Sequence, residues 1–188
     1  MIQQSATFPR PHAADAESAL RDDVVQLGVW MFLATLVMLF AAFTSAYIVR
    51  RSASDWTPLE LPGILWVNTV ALLASSGALE RARVAGRRGR VSSARRGLAT
   101  AAALGLAFLA GQLAAWQELA ARGVYVPTNP HSSFFYILTA THGVHVVAGL
   151  GLLVYAVTRA WNGAPLDHGP TARLMTASTT FWHFLVGL

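Results

Sequence analysis

Long apolar segments, separated by short polar connections, constrain this fold more than any other feature of the sequence. Residues 24–50, 61–81, 97–121 and 131–159 are each long enough, as a helix, to cross about 30 Å of hydrocarbon. A fifth apolar segment occupies residues 171–188. Because a bilayer offers no water to unpaired backbone groups, such segments must be helical. The sequence therefore predicts an all-α fold, a polytopic membrane helix bundle with five transmembrane helices.

The composition supports a membrane protein and leaves few candidates for catalysis. Hydrophobic residues make up 54% of the 188 residues and charged residues only 12%, whereas a soluble domain carries about 25% charged residues. The chain has no cysteine, which excludes disulfides, thiolate metal ligands and cysteine nucleophiles. The apolar segments contain no glycine-rich phosphate loop and no paired carboxylates.

The chain divides into a polar N-terminal tail, residues 1–22, and a single membrane domain, residues 23–188. The tail has no apolar core and no small-residue cleavage site, so we predict that it is not a cleaved signal peptide. The last apolar segment would reach only about 27 Å as a helix and ends on Leu188 without a charged or aromatic anchor. We therefore expect the natural chain to continue past Leu188.

Seven arginines between the second and third apolar segments indicate the orientation of the chain. Such clusters stay on the cytoplasmic side of a membrane, so we predict a cytoplasmic N-terminus and helices that alternate from there. Arg50 and Arg51, on the opposite side, are outweighed by the seven. The position of this charge also favours a membrane interface over nucleic acid as its partner. The arginines expected to determine topology are Arg81, Arg83, Arg87, Arg88, Arg90, Arg95 and Arg96.

Three histidines lie inside the apolar segments and are candidates for function. His142 and His145 occur in FFYILTATHGVHVVAGLG at residues 134–151, and His183 in FWHF near the end of the sequence. A full charge at membrane depth costs about 2.5–3.5 kcal/mol on insertion scales, so ionisable residues there tend to be functional. His142 and His145 are three residues apart and share one helix face.

The spacing of these histidines leaves three interpretations open. Imidazole is a common metal ligand, and a haem would need His183 to face one of the fourth-segment histidines across the bundle. A second interpretation is a proton relay. In the third, each histidine is neutral and bonded to a hydroxyl or carbonyl of a neighbouring helix, an interaction worth roughly 0.6–2 kcal/mol. Asn68, Gln112 and Trp182 are further candidates for packing or for lipid contact.

At these residues the sequence resembles subunit III of the haem-copper oxidases, the family of cytochrome c oxidase and its bacterial quinol-oxidase relatives. Four motifs, in order and on successive predicted helices, carry the resemblance, which covers residues 27–188. They are GVWMFL at residues 28–33, NT…LLAS at residues 68–75, FFY…THGVHVVAG at residues 134–149 and FWHF at residues 181–184.

The resemblance implies the five-helix bacterial form of this family. A subunit III carries no haem and no copper of its own; it packs against catalytic subunit I, beside subunit II, and binds phospholipid. The resemblance thus implies no catalytic, cofactor-binding or metal-ligating residue in this chain, with His142, His145 and His183 as packing and hydrogen-bonding residues. It also implies the bacterial inner membrane, and a role in aerobic electron transport coupled to proton translocation.

Two departures from the family pattern bear on function. Many members carry a buried carboxylate on the first matched helix, where the alignment of residues 28–32 places Leu36. Many also have an aspartate after the FWHF motif, where this chain has Leu185 and Val186. Both changes remove intramembrane acids, which weakens a proton-related role and favours scaffold, lipid-binding and assembly roles.

Other functions stay open alongside a cytochrome c oxidase subunit. The chain would also suit a quinol oxidase, or the accessory subunit of a nitric oxide reductase, which is a relative within the same family. A haem b or metal-binding membrane protein that uses His142, His145 and His183 is an alternative from a different class. A transporter would show inverted repeats and broken helices, and the two halves of the sequence show neither.

Overall fold

The computed structural model describes residues 13–166 and 169–188, and in these residues the chain is all-α. This confirms the all-α part of the predicted fold class. Residues 1–12 of the predicted polar tail lie outside the described residues. The helices are α1 Ala13–Arg50, α2 Ile64–Arg87, α3 Val91–Ala121, α4 Pro130–Trp161 and α5 Gly169–Gly187.

The membrane-spanning character of the helices is uneven. Within the described residues, three segments are long and apolar enough to cross a membrane: Gln26–Arg50, Val91–Ala121 and Pro130–Trp161. Helix α2 is less apolar because its second half carries Glu80, Arg81 and Arg83. Helix α5 has 19 residues, several of them serine or threonine. Five transmembrane helices therefore remain a prediction for α2 and α5.

The helices extend further than the apolar segments predicted. Helix α1 begins at Ala13 instead of residue 24, α2 ends at Arg87 instead of residue 81, and α3 begins at Val91 instead of residue 97. The additional residues are rich in alanine and arginine, which are good helix formers whether or not they are apolar. The arginines predicted in a loop thus lie mainly on helix ends. Only residues 88–90 connect α2 to α3, with Gly89 at a positive φ of 66°.

Helices α2 to α5 form a closed ring. Each of them packs against the next along the chain, and α5 packs back against α2. Helix α1 lies outside this ring and, among the described helices, packs against α4 and α5 alone. Trp182 of α5 is 1% exposed and fills the centre of the ring, against Gly105 of α3 and Gly149 of α4. The structure therefore consists of a four-helix ring with one additional helix on its α4–α5 side.

Small residues bring α2 and α3 close together. Gly97 faces Ala78 and Ala82, and Gly111 leaves the space that the amide of Asn68 occupies. Between these two levels, the hydroxyl of Ser75 donates to the carbonyl oxygen of Ala101 at 2.9 Å. Close approach at glycine and alanine is a common way for helices to pack in a bilayer, where hydrophobic driving force between helices is weak.

The connection between α1 and α2, residues 51–63, passes over the beginning of α4. The backbone amide of Leu59 donates to Nδ1 of His131 at 2.8 Å, and Trp56 stacks on the imidazole with ring centroids 4.7 Å apart. Helix α4 itself begins with a capping box, in which Asn129 and Ser132 bond to each other's backbone amides. The capped end of α4 therefore holds the loop that links the outer helix to the ring.

The close approach at Gly97 leads to a stability prediction. In Gly97→Ala, the new Cβ would lie 2.8 Å from Cβ of Ala82 and 3.1 Å from the carbonyl oxygen of Ala78. We expect strain of about 1–3 kcal/mol, which exceeds the gain of at most about 1 kcal/mol in helix propensity. Thermal unfolding of the purified protein in mild detergent should show a lower midpoint.

Gly77→Ala on α2 is the matched control, because no atom lies within 4 Å of its new Cβ. It should unfold at the same temperature as the wild type or slightly higher. A Gly97→Ala protein as stable as Gly77→Ala would contradict the described α2–α3 interface.

Candidate functional site

His142 and His145 of α4 lie in an aromatic environment formed by three helices. The ring centroid of His142 is 6.4 Å from that of Phe40 on α1 and 5.9 Å from that of Phe108 on α3, both edge-on. His145 lies 6.2 Å from Phe40 and 6.5 Å from Phe32 by the same measure. The two histidines are therefore surrounded by the aromatic side chains through which α1 and α3 meet α4.

The polar bond of His145 stays within its own helix. Nδ1 of His145 lies 2.7 Å from the carbonyl oxygen of Thr141. Because a carbonyl oxygen only accepts, this bond places a hydrogen on Nδ1. The expected partner on a neighbouring helix is thus replaced by the preceding turn of α4. The contact of His145 with α1 is made by its ring, through packing.

A cavity of about 540 Å³ lies beside His142, between α1, α3, α4 and the end of α5. Its polar wall consists of His142, Thr139, Gln112 and Thr44, and the rest of its lining is mainly apolar. Nε2 of Gln112 is buried and has no hydrogen-bond partner in the described part of the protein. Gln112 and His142 are thus brought to one cavity, whereas His145 and His183 are not among its lining residues.

His183 belongs to a different cluster, on the opposite side of the ring between α5 and α2. Its Nδ1 bonds to the hydroxyl of Ser76, and its Nε2 lies 3.5 Å from Oε2 of Glu80. Arg83 holds the same carboxylate with two bonds, Nε to Oε2 at 2.9 Å and Nη2 to Oε1 at 2.6 Å. The side chains of His183 and Glu80 are 39% and 38% exposed. A chain of four polar groups therefore joins α5 to α2.

The three histidines thus do not converge on one point. His145 and His142 face α1 and α3, while His183 faces α2. Among the described residues, no group of three or more histidine, aspartate or glutamate side chains is placed to hold a metal ion. A shared haem or metal site of His142, His145 and His183 would need this arrangement to change.

The hydroxyls near the histidines are used by the helices themselves. Thr176, Thr179 and Thr180 each donate to the carbonyl oxygen one turn before them, at 3.1, 2.6 and 3.0 Å. Thr139 donates to the carbonyl oxygen of Phe135 and accepts from the indole nitrogen of Trp116 at 3.1 Å, which links α3 to α4. These four hydroxyls therefore bond to the backbone of their own helices, whereas Oγ of Ser178 is buried without a partner among the described residues.

Asn68 and Trp182 are both buried packing residues. Asn68 is 5% exposed against Gly111, and its Nδ2, like Nε1 of Trp182, has no partner among the described residues. Trp182 does not belong to an interfacial belt, since it lies at the centre of the ring. Trp66, which is 79% exposed, has the exposure that a belt residue needs. Leu36 and Leu185, at positions where the resemblance implies acids in many family members, are both in the hydrophobic core.

Sequence reasoning missed three residues of these contacts. Ser76 and Glu80 join His183, and His131 holds the loop of Trp56 and Leu59. A signal for Ser76 and Glu80 was present, because they lie one turn apart on α2 and therefore share a face. Nothing in the sequence indicates that this face meets α5. The contact depends on closure of the ring.

The arginine cluster is placed at one end of the ring, where α2 ends and α3 begins. Arg83 is bound to Glu80, and Nε of Arg95 donates to the carbonyl oxygen of Ala160 at 2.9 Å, with its guanidinium above the ring of Trp161. The other members have no ion pair or side-chain hydrogen bond within residues 13–166 and 169–188. They are Arg81, Arg87, Arg88, Arg90 and Arg96.

Fold and contacts together define the class of protein. The described residues are all-α, three segments are long and apolar enough to cross a membrane, and His145 and His183 bond to groups within the chain itself. The sequence matches the family described as cytochrome c oxidase subunit III over residues 2–186. The chain therefore belongs to the cytochrome c oxidase subunit III family. It is a subunit III of a haem-copper oxidase and, like the subunits it resembles, non-catalytic by itself.

Individual relatives agree with this assignment. The chain is 31% identical to the cytochrome c oxidase subunit 3 of a Synechocystis species over 172 residues, which cover 87% of this chain and 70% of the relative. It is 28% identical to the probable cytochrome c oxidase subunit 3 of Mycobacterium tuberculosis, over 88% and 83% of the two chains. The cytochrome bo(3) ubiquinol oxidase subunit 3 of Pseudomonas aeruginosa is 31% identical, over 84% and 77%.

The bond between Ser76 and His183 leads to a prediction about helix pairing. In a double-mutant cycle of Ser76→Ala and His183→Leu, we expect a coupling energy of roughly 0.6–2 kcal/mol, as for other interhelical bonds in membranes. Unfolding in detergent gives the four stabilities. The control cycle pairs Ser76→Ala with His145→Leu, which share no partner and should be additive within about 0.5 kcal/mol. Additivity in both cycles would show that the α2–α5 bond contributes nothing.

Proposed function

We propose that this chain is a scaffold subunit that stabilises the catalytic subunit I of a cytochrome c oxidase and holds phospholipid beside it. The observation that supports the proposal is the set of hydrogen-bond partners of its intramembrane histidines and hydroxyls. The histidine bonds and nearly all the hydroxyl bonds described above are made to backbone carbonyls or between α2, α3, α4 and α5. The chain would thus act through the shape and rigidity of its helix faces, with no bond-making of its own.

The faces left uncovered suit this role. Helix α2 exposes Trp66, Val70 and Leu73 along one stripe, and most of residues 26–50 of α1 outside the contact with α4 and α5 is also exposed and apolar. In a bilayer such faces meet lipid or the helices of another subunit. We infer that subunit I, with subunit II beyond it, and annular phospholipid cover these surfaces. The complex would then support aerobic electron transport coupled to proton translocation.

The replaced acids restrict the role further. Leu36 is buried against the ring, and Leu185 is buried within it, at the positions where many family members carry carboxylates. A proton that crosses this subunit would find no acid at either place. We infer that any effect on proton uptake is exerted through subunit I, by support of its structure, since the described core offers no carboxylate relay there.

We propose that all five helices span the bacterial inner membrane and that the N-terminus is cytoplasmic. The seven arginines at the α2–α3 end support this orientation through the positive-inside rule. The opposite end carries Arg50, which forms a bidentate pair with Asp55 at 2.7 and 2.5 Å, and Arg51. That pair lowers the pKa of Asp55 through its hydrogen bonds and so neutralises part of the competing charge.

A second candidate differs in the electron donor. The similarity to the Pseudomonas aeruginosa ubiquinol oxidase subunit, 31% identity, equals that to the Synechocystis cytochrome c oxidase subunit. A quinol oxidase would need the same scaffold from this chain, as would the nitric oxide reductase alternative. The subunits that co-purify with this chain would identify the electron donor.

Purification of the complex tests the proposed function. We expect an affinity-tagged chain, extracted in mild detergent, to bring down a larger subunit that carries all of the haem absorbance. The chain expressed alone should be colourless. A stoichiometric Soret band from the isolated chain would instead favour a haem protein. The reduced-minus-oxidised absorbance spectrum of the complex then identifies the enzyme as a cytochrome c oxidase, a quinol oxidase or a nitric oxide reductase.

His145→Leu provides a variant for the same experiment. It removes the polar ring that packs against Phe32 and Phe40, so we expect a lower yield of the assembled complex without a direct change in haem spectra. Gly143→Ala on the same helix is the control, since no atom lies within 4 Å of its new Cβ. Altered haem spectra in His145→Leu at unchanged yield would contradict a packing role.

A further inference from the structure

The end of α2 and the beginning of α3 enclose a groove of about 300 Å³ that is lined by arginines. We name it the arginine groove. The turn of residues 88–90 folds α3 back against α2, which places cationic side chains from both helix ends around one space. Its lining residues are Glu80, Arg81, Val84, Ala85, Arg88, Arg90 and Ser93.

The groove carries uncompensated positive charge. Arg81, Arg88 and Arg90 make no ion pair and no side-chain hydrogen bond within the described parts of the chain. Glu80 is the one acid among the lining residues, and Arg83 already holds its carboxylate with two bonds. Three guanidinium groups therefore face the groove without an internal anion, which is an arrangement suited to a ligand that brings a negative charge.

The position of the groove along the helices indicates the kind of anion. The buried core extends to Ala82 on α2 and Ala94 on α3, and most lining residues of the groove lie beyond these two residues, toward the turn of residues 88–90. Val84 and Ala85 form its apolar wall, and the neighbouring Val91 is exposed. Arginine at this depth, beside apolar surface, matches the height of phospholipid headgroups.

We propose that the arginine groove binds the phosphate of an anionic phospholipid, such as phosphatidylglycerol, from the same leaflet. The planar guanidinium groups of Arg81, Arg88 and Arg90 bind phosphate oxygens in pairs of parallel hydrogen bonds. The glycerol backbone and the start of the acyl chains lie along Val84 and Ala85. A zwitterionic lipid fits less well because its own amine already balances its phosphate. This assignment rests on the proposed membrane position of α2 and α3.

The test compares lipids on the purified complex, or on the full chain if it is stable alone. Phosphatidylglycerol should raise the thermal midpoint of the delipidated protein, whereas phosphatidylcholine and inorganic phosphate should not. The triple variant Arg81→Gln, Arg88→Gln, Arg90→Gln should lose affinity for phosphatidylglycerol by on the order of a hundredfold, since each arginine near a membrane surface contributes about one factor of five. Lipid extraction should also find less phosphatidylglycerol retained per protein.

Two further variants keep the result interpretable. The triple variant Arg50→Gln, Arg51→Gln, Arg122→Gln removes the same charge from the opposite end, where Arg50 and Arg122 are already paired with Asp55 and Glu118. It should retain the lipid. If the groove variant assembles poorly, the lysine triple variant at positions 81, 88 and 90 preserves charge and should bind the lipid more weakly than wild type but better than glutamine.

Three results would overturn the proposal. One is equal stabilisation by phosphatidylglycerol and phosphatidylcholine, and another is an unchanged affinity in the glutamine variant of the groove. Full stabilisation by inorganic phosphate alone would show a site for the free ion. The haem-bearing subunit in the same samples reports separately on the proposed function. Its absence with phosphatidylglycerol still bound would contradict that function and leave the groove assignment standing.

Discussion

The four-helix ring depends on the contact between the indole of Trp182 and two glycines. Gly105 of α3 and Gly149 of α4 lie against the ring of Trp182, so that a Cβ at either position would come within 3.1 Å of a side chain of α5. A large rigid side chain packed against glycines fixes the distances between three helices, α3, α4 and α5. The α2–α3 interface, with Gly97 against Ala78 and Ala82, completes the ring on the remaining side.

Placement of the polar groups follows from this packing. Once α5 is held by Trp182, the next residue, His183, points to α2 and meets Ser76 and Glu80. On α4, the same geometry turns His142 and His145 toward α1 and α3. The histidine of α5 and the two histidines of α4 look alike in the sequence but thus lie in different surroundings. In this chain the histidines mark contacts between helices.

Much of the fold could be predicted from the sequence, because the length of an apolar segment and the residues that begin or end a helix can be read from the local sequence. The ends of α4 and α5 were placed within two residues, and Asn129 with Pro130 gives a readable start of α4. The predicted end of α2 and the predicted start of α3 were wrong, because each apolar segment is shorter than the run of good helix formers that contains it. The partners of His183 and the burial of Trp182 could not be predicted, since both depend on which helices become neighbours when the ring closes.

The position of α1 has a consequence for how the protein is made. Helix α1 precedes α4 and α5 in the chain, yet these two later helices form the surface that receives it. Helices α2 and α3, joined by a three-residue turn, have each other as partners from the moment they appear. Helix α1 can reach its final contacts only after α4 and α5 have been synthesised, and the bond of the α1–α2 loop to His131 forms only once α4 is present. The order of synthesis and the order of assembly therefore run in opposite directions for this helix.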